Sequence, residues 1–297
     1  PQLREKMRIS ESGTKLRQSL IHNSNLKFGI TLMAFGFLKK MFFADNIAPM
    51  VNEIFKFPFT HDSFVILVAT IAFGIQVYAD FSAYSDIAIG AALILGFKIP
   101  MNFNKPFFAV SPSDFWRRWH ISLSTWLRDY LYIPMGGSRT ASIFSGIFSF
   151  ATVFFLSMMF GESGEINFGV LFLGFGTMLL LWSSGVMYPR WGQKIASYVN
   201  IMATMVIGGL WHGASWNFLL WGALNGLGLL VYKVIGTKMP WATHHGWWAR
   251  AIGLMTTFNF ITFTRIWFRS GSGIGWETTP GKQNLLTEWF TANALLY

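Results

Sequence analysis

The segment "GGLWHGASWNFLLWG", residues 208–222, holds a single titratable side chain, His212, among glycines, tryptophans and aliphatic residues. An imidazole changes protonation near neutral pH, so it can take a proton from a hydroxyl and return it to a leaving group. Its other reading is a neutral ring hydrogen-bonded between helices. A second histidine, His120, stands in "SPSDFWRRWHISLSTWLRDYLYIP" beside Arg117, Arg118 and Arg128. Those guanidinium groups suit either the phosphates of a donor or the positive bias of a cytoplasmic flank. His120 reads equally as a residue of an interfacial helix, and the tryptophans around it as interface anchors. A third polar group, Asp80, Tyr84, Ser85 and Asp86 in "YADFSAYSDIAIG", interrupts an apolar run. It points to a broken helix or a water-lined cavity. The chain has no cysteine, which excludes a thiolate nucleophile, disulfides and Cys-ligated metal. No histidine pair has metal-ligand spacing, so no metal is expected. His22, His61, His244 and His245 carry little weight, the last two lying in the polar loop "WATHHGWW".

The elements that must position these residues are apolar helices. Of 297 residues, 53% are hydrophobic and only 12% charged, about half the charged share of ordinary soluble domains. The apolar residues fall in long blocks, the pattern of a polytopic α-helical membrane protein; the short alternating segments of a membrane β-barrel are absent. A formal charge of +10 fits cytoplasmic loops and lipid headgroups, and is a poor argument for nucleic acid. The first apolar block is 26–43, and residues 63–97 follow with the polar interruption at 78–90. Spans are also expected at 143–160, 168–188, 215–232 and 249–268. The opening run "PQLREKMRISESGTKLRQSL" and the closing "TEWFTANALLY" read as cut from a longer protein with membrane helices before residue 1.

Ser111, Pro112 and Asp114 fit the N-cap, first and third positions of a helix. Trp116, Trp119, Leu123, Trp126 and Tyr130 then share one face by 3-4-3-4 spacing, with Arg117, His120, Ser124 and Arg128 on an adjacent polar face. Such a helix suits an interface or a wet cavity wall. The joint "GESGEINFG" carries acids and no Lys or Arg and is expected outside the cell, whereas Arg139, Arg190 and Lys194 mark cytoplasmic joints. Tyr198 to Leu210 is about 13 residues, roughly 20 Å of helix against a ~30 Å hydrocarbon core. The next run ends near Lys233 and Lys238, again a cytoplasmic signature. The junction carrying His212 is therefore expected inside the membrane or near its far face, with Gly208, Gly209 and Gly213 permitting a tight reversal.

"DFSAYSDIAIG", "NFNKPF", "DFWRRWHISLSTWLRDYLYIPMGGSR" and "GGLWHGASWNFLLWGALNG", in this order over residues 79–226, resemble the membrane-bound O-acyltransferase (MBOAT) family, in its bacterial alginate O-acetyltransferase-like branch. The resemblance implies an all-α, polytopic membrane bundle with a central tunnel and partly re-entrant or interfacial helices, in the bacterial cytoplasmic membrane. It implies His212 as the catalytic histidine and His120 as a second active-site histidine. Arg117, Arg118, Ser124, Trp126, Arg128, Asp80, Tyr84, Asp86, Trp211 and Asn217 are assigned to substrate binding. No cofactor is implied beyond a cytoplasmic acyl thioester such as acetyl-CoA. The implied partners are the bilayer, that donor, and an extracytoplasmic acyl-accepting protein or polysaccharide. D-alanyl transfer to teichoic acid is the alternative within the family, and a membrane transporter the alternative outside it. Residues 1–297 are expected as one MBOAT domain lacking the family's N-terminal helices. Residues 143–188 are expected as an extra transmembrane hairpin that typical bacterial relatives lack.

Overall fold

The computed structural model describes residues 23–139, 146–151, 154, 169, 176, 189–213, 215–238 and 246–271, and every regular element among them is helical. The all-α expectation holds. The N-terminal charged run and the His244–His245 loop lie outside the described residues, as does most of the expected hairpin at 143–188. Among the described residues two helices, Ser63–Ile94 and Gly192–His212, are long and apolar enough to cross a membrane. The chain divides into two compact units, residues 1–97 with 268–297, and residues 98–267.

In the first unit, α1 (Asn23–Leu38) lies against α3 (Ser63–Ile94). Glycines permit the close approach: a Cβ on Gly29 would sit 2.6 Å from the Gly90 carbonyl oxygen, and one on Gly36 2.8 Å from that of Ala83. Small residues at a helix crossing are how membrane helices gain contact when lipid removes the hydrophobic drive. Between α1 and α2 (Asp45–Lys56) runs a π-helical turn, Lys39–Ala44. Val51 and Phe55 of α2 close a small core with Ala69 and Phe73 of α3. Arg269 joins this core, its guanidinium 5.3 Å from the Phe73 ring and Nη2 donating to Asn52 Oδ1 at 2.8 Å.

Of the two readings of Asp80–Asp86, a broken helix or a water-lined cavity, the break is not there. α3 runs unbroken for 32 residues, from an Asp62 side chain that caps the Val65 N–H at 3.0 Å to Gly96 at φ 76°. There the Phe97 and Gly96 N–H groups bond back to Ala92 and Leu93, the glycine-dependent C-terminal motif. At 1.5 Å per residue the helix is about 48 Å long, more than a ~30 Å hydrocarbon core needs. The helix tolerates its carboxylates because the π-helical turn supplies cations. Lys39 pairs with Asp86 and donates to Ser82, and Lys40 sits 2.8 Å from Asp80 and 2.9 Å from Asp45.

The second unit contains α4 (Pro112–Arg118), α5 (Ile121–Leu127), a π-helical turn Arg128–Tyr132, α6 (Pro189–His212), α7 (Trp216–Val234) and α8 (Trp247–Gly271) as far as Trp267. α6 and α7 form the tightest pair: a Cβ on Gly209 would lie 3.1 Å from Gly222 Cα, and one on Gly222 3.1 Å from Val206 Cα. Ala109, Phe115 and Ile261 form a core beside Trp116, Trp119 and Phe260. The expected cap is in place, with Ser111 Oγ accepting the Asp114 N–H at 3.1 Å and Pro112 in the first turn. The single helix expected beyond it is not formed. α4 ends at Arg118, Trp119 is extended, and His120 takes the left-handed conformation at φ 44°. The backbone groups that would continue the helix bond elsewhere, Arg118 O to the Asn104 N–H (2.9 Å) and the Ile121 N–H to Asn102 O (3.0 Å). The aromatic and cationic stripes predicted for one continuous helix are therefore split between two.

Candidate active site

His212 is the last residue of α6, at a reversal the sequence anticipates. The Gly213 N–H reaches back to Leu210 O at 3.1 Å, and Ser215 Oγ accepts the Asn217 N–H at 3.3 Å to start α7. A side chain at 213 would press into the Phe218 ring, 2.8 Å from its Cε2, so glycine lets the turn close over that ring. Aromatic rings surround the imidazole. Trp211 lies 4.9 Å away and Trp221 5.2 Å, both edge-on, and Phe218 6.0 Å. Trp211 is also 5.9 Å from the His120 ring, so one indole touches both histidines. His120 is buried at 9% exposure, and burial pushes its pKa down to about 4 from an ordinary 6.5.

A cavity of about 700 Å³ opens on His212. Its walls are mainly apolar, with Leu123 and Leu127 from α5, Ile201 and Met205 from α6, and Leu229 from α7. That is the usual makeup of a small-molecule site, an apolar wall with a few placed polar groups. Trp221, against His212, and Lys233, further along α7, both line it. Twelve residues of helix separate them, about 18 Å, so the cavity is elongated.

Of the residues the sequence assigned to substrate, Arg117, Ser124 and Arg128 line this cavity with His212. Arg117 and Arg128 stand at its rim, with side chains 73% and 59% exposed, each beside an aspartate (Asp114 at 3.5 Å, Asp129 at 2.7 Å). His120 and Trp211 are not lining residues and meet the site through their ring contacts. Arg118 is paired with Asp114 at 3.0 Å. Trp126 is exposed and stacked on Tyr130 at 5.6 Å. Asn217 is buried in the first turn of α7. Asp80, Tyr84 and Asp86 belong to the first unit, the two carboxylates paired with lysines and Tyr84 exposed. Sequence reasoning missed Trp221, Tyr132 and Lys233 as cavity residues. The repeat of Trp in "LWHGASWNFLLWG" was the available signal for the first.

The family described as "MBOAT, membrane-bound O-acyltransferase family" matches residues 3–195, a span that contains His120 and ends before His212. The "Probable alginate O-acetylase AlgI" of Azotobacter vinelandii is 36% identical over 209 residues, 70% of this chain and 31% of the relative. The "Peptidoglycan O-acetyltransferase" of Helicobacter pylori is 29% identical over 246 residues, 83% of this chain and 36% of the relative. The "Teichoic acid D-alanyltransferase" of Streptococcus thermophilus is 23% identical over 262 residues, 82% and 51% of the two chains. The chain spans about a third of the length of the O-acetylating relatives it matches. With well over half of its residues inside the family match and its histidine-bearing helices gathered on one apolar cavity, this chain belongs to the membrane-bound O-acyltransferase family.

Proposed function

We propose that this chain is the acyl-transferring part of a polytopic O-acyltransferase of the bacterial cytoplasmic membrane. The protein moves an acetyl group from a cytoplasmic thioester toward hydroxyls of an extracytoplasmic polysaccharide, directly or through a partner protein. The observation that carries this reading is His212 at a helix reversal, opening on an elongated, largely apolar cavity in a member of this family. Acetyl rather than D-alanyl transfer is favoured by the higher identity to relatives named for O-acetylation.

The chemistry is one acyl exchange. The neutral imidazole of His212 takes the proton from the acceptor hydroxyl as its oxygen attacks the thioester carbonyl. The tetrahedral intermediate collapses with loss of the C–S bond, and the imidazolium returns the proton to the leaving thiolate. His120, reaching the site through Trp211, orients the reacting groups. The rim arginines hold the donor's phosphates. The walls keep water from the thioester.

Labelled acetyl thioester, supplied to membranes carrying the full-length protein, tests this. Wild type should place label covalently on polysaccharide or partner, and His212→Ala should reduce transfer by at least about 10³-fold while the protein stays folded. Full transfer by His212→Ala refutes the mechanism. Flux of an unmodified solute without labelled product would make the protein a transporter instead.

A further inference from the structure

Among the described residues only Lys105 and His120 hold a left-handed backbone without being glycine, at φ 47° and 44°. A Cβ makes that conformation costly, and it persists only where the surroundings over-determine it. The stretch just before Lys105 brackets His120. Asn104 donates its N–H to Arg118 O at 2.9 Å, two residues before the histidine, and the Ile121 N–H just after it donates to Asn102 O at 3.0 Å. Phe103 meets Trp119 edge-on at 5.0 Å. The Lys105 turn leads into the helical turn Pro106–Phe108, whose Phe107 ring is 6.5 Å from Trp119.

The side chain of Asn102 adds the decisive contact. His120 occupies the N-cap position of α5 and makes no side-chain cap hydrogen bond. Histidine is a poor cap, and the first N–H groups of a helix need acceptors. Asn102 Oδ1 supplies one, accepting the Ser122 N–H at 3.1 Å and the Ser122 Oγ–H at 2.6 Å. The cap of α5 thus comes from 20 residues upstream, and the imidazole that would otherwise serve the helix end is turned toward Trp211, 5.9 Å away.

We infer that Asn102 is the positioning residue of His120: its side-chain oxygen caps α5 in place of the histidine, and its backbone pins the left-handed turn that aims the imidazole at the transfer site. The catalytic half of this statement rests on the proposed acyl transfer. The structural half does not.

The test uses Asn102→Ala, Asn102→Asp and Ser122→Ala in the full-length protein. Asn102→Ala should lower kcat by about 100-fold with little change in KM for the donor, the scale of a misplaced catalytic group. Asn102→Asp keeps the acceptor oxygen and should restore most of the rate, and Ser122→Ala should fall between. In a His120→Ala background Asn102→Ala should cost nothing further. Wild-type kcat in Asn102→Ala, no rescue by Asp, or a further loss in the His120→Ala background would each overturn the inference. Acylation of the His120 ring by diethyl pyrocarbonate, read by mass spectrometry, should be faster in Asn102→Ala because the ring leaves its buried site. Unchanged reactivity overturns the structural half. If His120→Ala itself turns over at the wild-type rate, the catalytic role of His120 is what fails, and ring reactivity alone decides the positioning.

Discussion

Asn200 gives the sharpest test of how the fold holds the cavity together. It is fully buried on α6, and its Nδ2 donates to Met135 O at 3.1 Å and Gly137 O at 2.9 Å. Those carbonyls belong to a turn with Gly136 at φ 105° and Gly137 at φ 57°, a backbone that leaves the helical ladder. Tyr132, whose carbonyl accepts the Gly137 N–H at 2.9 Å, lines the cavity. Asn200→Ala removes both donors and leaves two carbonyls to find other partners. Side-chain hydrogen bonds in membrane proteins average about 0.6 kcal/mol and reach about 1.7, so two are worth about 1–3 kcal/mol. Asn200→Asp has the same shape but sets acceptor oxygens against acceptor oxygens, so it should cost more than alanine. In detergent, thermal unfolding should fall by about 2–12 °C for Ala, at roughly 2–4 °C per kcal/mol, and further for Asp. Turnover at saturating donor should suffer less than KM. If Asp unfolds at the wild-type temperature, the donor role of Asn200 is refuted. If Ala shifts by less than about a degree, the turn is held by something other than this side chain.

Two further outcomes follow from charged groups. Lys39→Met and Asp86→Asn should each destabilise the first unit, because each strands a mostly buried charge on a helix pair; the double variant should recover part of the loss. A coupling below about 0.5 kcal/mol in denaturation would sink that pairing. His120 should make stability fall as pH drops from 6.5 toward about 4, because the unfolded chain takes up a proton that the buried ring refuses. This contribution is absent above pH 6.5, so His120→Gln should lessen the fall of the unfolding temperature between those two pH values, and an unchanged profile would count against burial as the cause.

What the sequence reveals here is what lies close along the chain. Ser111, Pro112 and Asp114 announce a helix start because a cap is a contact over three residues. The reversal after His212 is legible because glycines at 209 and 213 mark where a Cβ would collide. Asp80 and Asp86 mislead because their partners, Lys39 and Lys40, lie some forty residues away, and a carboxylate with a cation beside it does not break a helix. The bend at His120 is invisible for the same reason. No glycine or proline stands at 118–122, and the hydrogen bonds that force the turn come from Asn102 and Asn104. The cavity draws walls from α4, α5, α6 and α7 at once, which no local pattern encodes.

The two histidines are held by opposite means, and that bears on which of them moves the proton. His212 ends a long helix and lines the cavity, so its ring can meet a ligand while α6 and α7 fix its backbone through the Gly209–Gly222 contact. His120 is not among the lining residues, and its backbone holds a left-handed conformation bracketed by hydrogen bonds from Asn102 and Asn104. A group that must exchange a proton with substrate has to touch it; a group that only orients can act through a neighbour. Trp211, 5.9 Å from one ring and 4.9 Å from the other, is the available intermediary. Its indole can transmit a change in His120 to His212 as a shift in ring packing, without a hydrogen-bonded relay. In the proposed transfer this difference casts His212 as the base and His120 as the residue that sets where that base points.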